Sequence, residues 1–218
     1  MAQVAVVDAG SFTLLHGATR VGREVFTIRR VPPPDGGFVV DGAGIYPAHR
    51  FVPILRTDTS GQPQRYQRED FVGERRQELL TVQVTRGRAT ERIQTSRGES
   101  AAEFVVVPGT RLLEDELFAQ YYLVTRGAVG RSATAAVGRV KVVPVIMPGH
   151  PATASVTVAY VGEERIDLGG QSRAAVHLRI EPVAGDTREV WVDQVGRVLQ
   201  VAVPARGLVA ERDDPPAG

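Results

Sequence analysis

Turn residues recur along this chain at intervals of about 8 to 14 positions, and β-rich segments fill the spaces between them. Glycine-bearing stretches such as "TRGR", "SRGE", "LGGQS", "VAGDT" and "DQVGR" mark the turns, because glycine reaches the positive φ that tight hairpins demand. Early in the chain Phe12, Leu14 and His16 alternate with Thr13 and Leu15. Val25, Thr27 and Arg29 then alternate with Phe26, Ile28 and Arg30. Alternation of this kind is the period of a strand. "VPPPDGG" (31–37) must interrupt the sheet, since proline has no N–H to give a ladder. So short a cadence leaves no room for the crossover helices of βαβ units, and it predicts an antiparallel meander.

One segment departs from the pattern. In "TRLLEDELFAQYYLVTRG" (110–127), Leu112, Leu113, Leu117, Phe118 and Tyr121 fall near helical spacing. Thr110 is a candidate N-cap. Glu114, Asp115 and Glu116 suit the positive end of a helix dipole, and Arg126 with Gly127 suits the other end. These features predict one amphipathic helix over residues 111–124. The fold class expected is therefore all-β and mainly antiparallel: a strongly curved sheet, half-barrel or β-roll, with one principal helix packed on it. No long linker or fixed-period repeat is visible, so residues 1–212 are expected to form a single domain, with 213–218 as a disordered, Pro-containing tail.

The closing hairpin, "REVWVDQVGRVLQVAVP" (188–204), is apolar on both faces. Val190 and Val192 share one face, and Trp191 lies on the other between Glu189 and Asp193. On the return strand, strict alternation puts Leu199, Val201 and Val203 on one side and Val198, Gln200 and Ala202 on the other. Two apolar faces imply that both are covered. A helix can cover one. The other must be closed by the sheet curling on itself or by an apolar ligand in a cavity. Candidate wall residues for such a cavity are Trp191, Leu199, Val201, Phe104, Val106, Val143 and Val145. The alternative is a filled two-layer core with Trp191 as one of its aromatics.

Composition removes several function classes. With no cysteine, disulfides, thiolate metal sites and thiol catalysis are excluded. Basic and acidic residues balance at 26 against 25, which gives no general attraction to nucleic acid. Segments such as "TRGRATER" also lack the interleaved aromatics of a single-strand binder. No apolar run approaches the ~20 residues of a transmembrane helix. The start "MAQVAVVDAGSF" is what a mature sequence would show if a secretory signal had been removed and Met1 added; the alternative is a native cytoplasmic start.

Catalytic constellations are lacking. His16, His49, His150 and His177 make no ligand pair at i, i+2 or i, i+4, so no metal or other cofactor is expected. There is no G-x-S-x-G. "LGGQS" and "DGAGIYP" are not followed by helices, so neither reads as a phosphate loop. Asp167 and Asp193 could pair only from neighbouring strands, and Glu114 with Glu116 would diverge on a helix. Asp193, Gly196 and Arg197 are accounted for by turn formation: an aspartate that accepts backbone N–H groups and a glycine at positive φ.

Two stretches carry a family resemblance. "FTLLHGATRVGREVFTIRR" resembles the opening hairpin of exported bacterial β-proteins of unknown function, with Gly17 and Gly22 at the turn. The end is similar to their closing pattern, with Trp191, Asp193, Gly196, Arg197 and Leu199 in "W-x-D-x-x-G-R-h-L" and His177 on the strand before. Such proteins are similar in build to lipoprotein-carrier (LolA/LolB-like) half-barrels and to spiral β-rolls. The resemblance implies a periplasmic or secreted location and an apolar ligand, and supplies no catalytic residues. Two readings follow. One is a non-enzymatic cell-envelope protein that holds a lipid or acyl chain in a curved-sheet cavity. The other is a structural or protein-interaction module with a filled core, whose partner would be an envelope protein.

Overall fold

The computed structural model describes residues 4–126, 138, 140–183, 185–214 and 216. The first eight strands form an up-and-down antiparallel meander: β1 (Ala5–His16), β2 (Thr19–Arg30), β3 (Phe38–Ile45), β4 (Arg50–Thr57), β5 (Pro63–Val72), β6 (Arg75–Thr85), β7 (Arg88–Thr95) and β8 (Gly98–Val105). A two-residue strand, β9 (Arg111–Leu112), and a single helical turn, α1 (Tyr121–Thr125), come next. A second meander then completes the fold: β10 (Val140–Ile146), β11 (Thr153–Leu168), β12 (Gln171–Pro182), β13 (Arg188–Val192), β14 (Val198–Val203) and β15 (Leu208–Arg212).

The two meanders fuse where the last strand returns to the first, with Phe12 opposite Arg212 and His16 opposite Leu208. Among the described residues this gives one sheet of 15 strands in the order β8 to β1, then β15 back to β9. All pairs are antiparallel except β9 with β10. The sheet is curved and open, with β8 and β9 at its ends. The β1–β15 seam is locked by a buried ion pair. Both terminal nitrogens of Arg212 donate to Asp8 at 2.8 Å, and the guanidinium lies 5.2 Å from the Phe26 ring centroid.

Strand alternation decides what lies inside. Phe12 and Leu14 of β1, Phe26 and Ile28 of β2, Leu80 and Val82 of β6, Leu178 and Ile180 of β12, and Val190 and Val192 of β13 all join one core on the concave face.

The helix expected over 111–124 is confined to Tyr121–Thr125. Thr110 is no N-cap: its hydroxyl donates to the Val107 carbonyl in a turn. Leu113 extends β9 by donating to the Ile146 carbonyl, and residues up to Gln120 are irregular. The apolar spacing misled because this segment is surrounded. Leu112, Leu113, Leu117, Phe118, Tyr121, Leu123 and Val124 are all buried, which requires apolar side chains in every direction and not on one helical face. Gly127 lies outside the described residues.

The closing hairpin also differs in phase from strict alternation. Val192 pairs with Val198 but Trp191 pairs with Gln200, so Leu199 is an extra residue in a β-bulge. The bulge puts Val198 and Val201 in the main core and turns Leu199 to the opposite face. The turn itself is as expected. Gly196 has φ 90°, and the Asp193 carboxylate accepts from the Val195 and Arg197 amides at 3.0 and 2.8 Å. Asp213 and Asp214, read as the start of a disordered tail, are instead held on β1. Asp213 accepts from the Ser11 and Thr13 hydroxyls, and Asp214 accepts from the Ser11 amide.

Candidate functional site

The concavity is occupied by the chain itself. Residues 112–126 enter along β9, turn, and run back through α1. Glu116 marks one end of their course, where its carbonyl lies 3.4 Å from the Tyr46 hydroxyl that donates to it. Tyr122 marks the other, with its ring edge-on to Phe38 at 6.3 Å. Phe38 and Tyr46 bracket β3, so the segment spans that strand's length, roughly 25 Å at 3.3 Å per residue.

Apolar contact fills the middle of this internal segment, and polar side chains pin it. Glu24 on β2 is buried, and its two carboxylate oxygens accept the backbone N–H groups of Phe118 and Ala119 at 2.6 and 3.1 Å. These amides precede a helical turn and have no partner within it, so the carboxylate satisfies donors that would otherwise be orphaned. Burial pushes the Glu24 carboxyl up to about 7, against the two hydrogen bonds, which favour ionisation.

Glu114 is the second pin. Its Oε1 accepts from the Tyr66 hydroxyl at 2.8 Å, and Arg68 donates to both of its oxygens at 2.9 and 3.0 Å. Arg68 also binds Asp70 and Glu78. Burial raises Glu114 to about 6, and the Arg68 charge and the Tyr66 hydroxyl oppose the rise. Asp115 pairs with Arg188 and Arg206, and Arg111 donates to the Leu123 and Ser60 carbonyls. Of the three acidic residues read as helix-dipole partners, Glu114 and Asp115 are thus tethers of an irregular turn, and Glu116 contributes its backbone carbonyl. A cleft of about 260 Å³ opens beside them, lined by Phe51, Arg68, Asp70, Met147 and His150.

Five of the seven candidate wall residues come together. Phe104, Val106, Val143, Val145 and Val201 belong to the main core, whose other members include Leu112, Phe118 and Leu123 of the internal segment. Trp191 and Leu199 do not join them. They lie on the other face with Ile166, Leu168 and Ala175. Trp191 stacks on His177, with ring centroids 4.5 Å apart at 17°, and its indole N–H donates to Glu164. The imidazole sits between carboxylates: Nε2 is 2.8 Å from Glu189 and Nδ1 is 3.2 Å from Glu164. His177 is therefore a sheet residue with ordinary polar partners, as its sequence context suggested. An apolar cavity beside Glu24, lined by Phe26, Val40, Leu55, Leu117 and Ala119, has a volume of about 20 Å³, enough for about one water.

Sequence reading missed Glu24, Tyr66 and Arg68. A signal for the first was present: Glu24, Phe26 and Ile28 share one strand face, which places a carboxylate in register with the core. No group of three or more His, Asp or Glu residues among those described is arranged to hold a metal ion. No described helix is long and apolar enough to cross a membrane.

The arrangement defines a β-barrel-like protein: an open, curved sheet wrapped around a segment of its own chain. Over 94% of its length the chain superposes on 93% of a crystal structure described as a beta-barrel-like protein of a domain of unknown function, DUF1849, from Brucella abortus, with TM-score 0.57 and 8% identity. At that identity the likeness is one of fold. A DUF1089 family protein from Pseudomonas aeruginosa aligns over 91% of this chain and 92% of its own, at 15% identity and TM-score 0.39. No family model matches the sequence, and no curated protein does.

Proposed function

We propose that this is a non-enzymatic cell-envelope protein that acts as a protein-interaction module, with its concave face filled by its own chain and its binding surfaces on the outside. The observation that carries this reading is the burial of Leu112–Leu113 and Leu117–Val124 in the concave core. An acyl chain in the same place would need a pocket of several hundred Å³. The five wall residues on that face pack in the same core as the internal segment, and the cavity beside Glu24 holds about 20 Å³. The buried carboxylates that invite an acid–base reading, Glu24 and Glu114, direct their oxygens at the internal segment and its tethers. Export to the periplasm is the part of the proposal that rests on the sequence resemblance, and fractionation of the native host tests it.

Thermal denaturation with long-chain fatty acids and phospholipids is the test of the filled-core reading. No change in Tm is expected. A ligand at 100 times its Kd stabilises a protein by about 2.7 kcal/mol, well within detection. A dose-dependent rise in Tm would overturn the interaction-module reading in favour of lipid binding.

A further inference from the structure

We propose that two copies of this chain associate edge to edge through β8, an inference that rests on the interaction-module reading and names a surface for it. Among the described residues β8 ends the sheet and pairs with β7 alone. The β7–β8 turn has two residues, Ser96 and Arg97, with Thr95 opposite Gly98. A two-residue hairpin places a hydrogen-bonded pair directly beside its turn, and such pairs then alternate along the ladder. Gly98, Ser100, Ala102 and Phe104 therefore direct their backbone groups at β7. Glu99, Ala101 and Glu103 direct three N–H and three C=O groups outward. Two observations fix this phase: the Val106 amide donates inward to the Gly87 carbonyl, and the Val105 carbonyl accepts from the Thr153 hydroxyl across the outer edge. Among the described residues, none bonds the outward groups of Glu99, Ala101 or Glu103.

The hairpin also has room for a partner. Gly98 to Ala101 are exposed on both faces, as are Arg92, Gln94 and Thr95 on β7. Free edges are commonly guarded by charged side chains, lysine above all, or by proline or a bulge, and the charges of β8, Glu99 and Glu103, lie beside Arg92 and Arg88 of β7. At the other end of the sheet β10 carries both Lys141, the one lysine in the chain, and Pro144. β8, "GESAAEFV", carries neither, and its β7 pairing contains no register shift.

Charge selects the register. In a two-fold antiparallel pair the outward residues must face one another. Placing Ala101 opposite itself would set Glu99 against Glu103 of the second copy, and like charges directly opposed destabilise a sheet. Placing Ala101 opposite Glu103 would bring in Val105, whose carbonyl Thr153 already occupies. Placing Glu99 opposite Ala101 makes two hydrogen-bonded pairs and sets Arg97 against Glu103 of the second copy, twice by symmetry. The structure assigns this third register.

The test is the solution mass of the full chain by light scattering. Wild type is expected at twice the 23.5 kDa chain mass. Ala101→Pro removes a donor that points away from β7, so it is expected at the single-chain mass with the circular dichroism of the folded wild type and a Tm that no longer depends on concentration. Arg97→Glu lies in the turn, where the fold does not depend on it, and is expected to weaken the dimer; adding Glu103→Arg is expected to restore it. A monomeric wild type at the highest soluble concentration would overturn the proposal, and so would an Ala101→Pro variant that remains dimeric. A dimer that the charge swap fails to restore would overturn the register. None of these results bears on fatty-acid binding, so failure here is distinguishable from failure of the filled-core reading.

Discussion

Glu24 makes stability depend on pH in an unusual direction. Its carboxyl lies at about 7 in the folded chain against 4.5 in the unfolded one, because burial outweighs the two backbone hydrogen bonds. Between these values the folded state holds a proton that the unfolded state has released, so stability must fall as pH rises through that window. The contribution of Glu24 is greatest below about 4.5, declines to about 7, and is flat above. A difference of this size corresponds to about 3 kcal/mol at 1.36 kcal/mol per pH unit. Glu114, raised to about 6, adds a smaller slope of the same sign. Urea denaturation at pH 5, 6, 7 and 8 reads the effect as a falling midpoint. Glu24→Gln removes the titration but leaves the histidines and Glu114 in place, so the difference between the two profiles isolates Glu24. The amide offers only one acceptor to two N–H donors, and the variant is expected to be less stable at pH 5. The diagnostic is its shallower slope. Parallel profiles for Glu24→Gln and wild type would refute the assignment of Glu24 as a buried carboxyl that closes on Phe118 and Ala119.

Three further outcomes are expected. Gly196→Val should destabilise by about 1 kcal/mol or more, since a β-branched residue is strained at φ 90°; an unchanged denaturation midpoint would contradict the turn geometry. Asp8→Ala should cost about 3–5 kcal/mol, because it leaves Arg212 buried without its counter-charge, and a melt within a degree or two of wild type would show that the seam does not depend on the pair. Leu199→Ala should shift the emission of Trp191 in the folded protein and Val201→Ala should not, because the bulge sends these neighbours to opposite faces. Equal shifts would restore the strict alternation of the return strand.

The meander was legible because turn residues and two-residue alternation act locally: the hairpin at Asp193–Arg197 could be read from Asp193 and Gly196 alone. Two features escaped for physical reasons. A bulge inserts one residue without altering composition, so "VLQVAV" gives no sign that Leu199 leaves the phase of Val201. The segment 111–124 carries enough leucine and aromatic residues for a helix, but their burial in all directions comes from strands spread along the rest of the chain. Glu24 lay in plain view, in register with Phe26 and Ile28. What the local sequence did not contain was its partner, a pair of amides 94 and 95 residues away.

The central claim is that residues 112–125 are a permanent part of the core, and hydrogen exchange measured residue by residue at pH 7 tests it directly. The amides of Leu113, Phe118, Ala119 and Leu123 donate to Ile146, Glu24 and Gln120 inside the sheet and are expected to exchange only as slowly as the Leu178 and Val190 amides of the central strands. Exchange of the 113–123 amides orders of magnitude faster than those strands would show that the concavity opens readily, and would contradict the account.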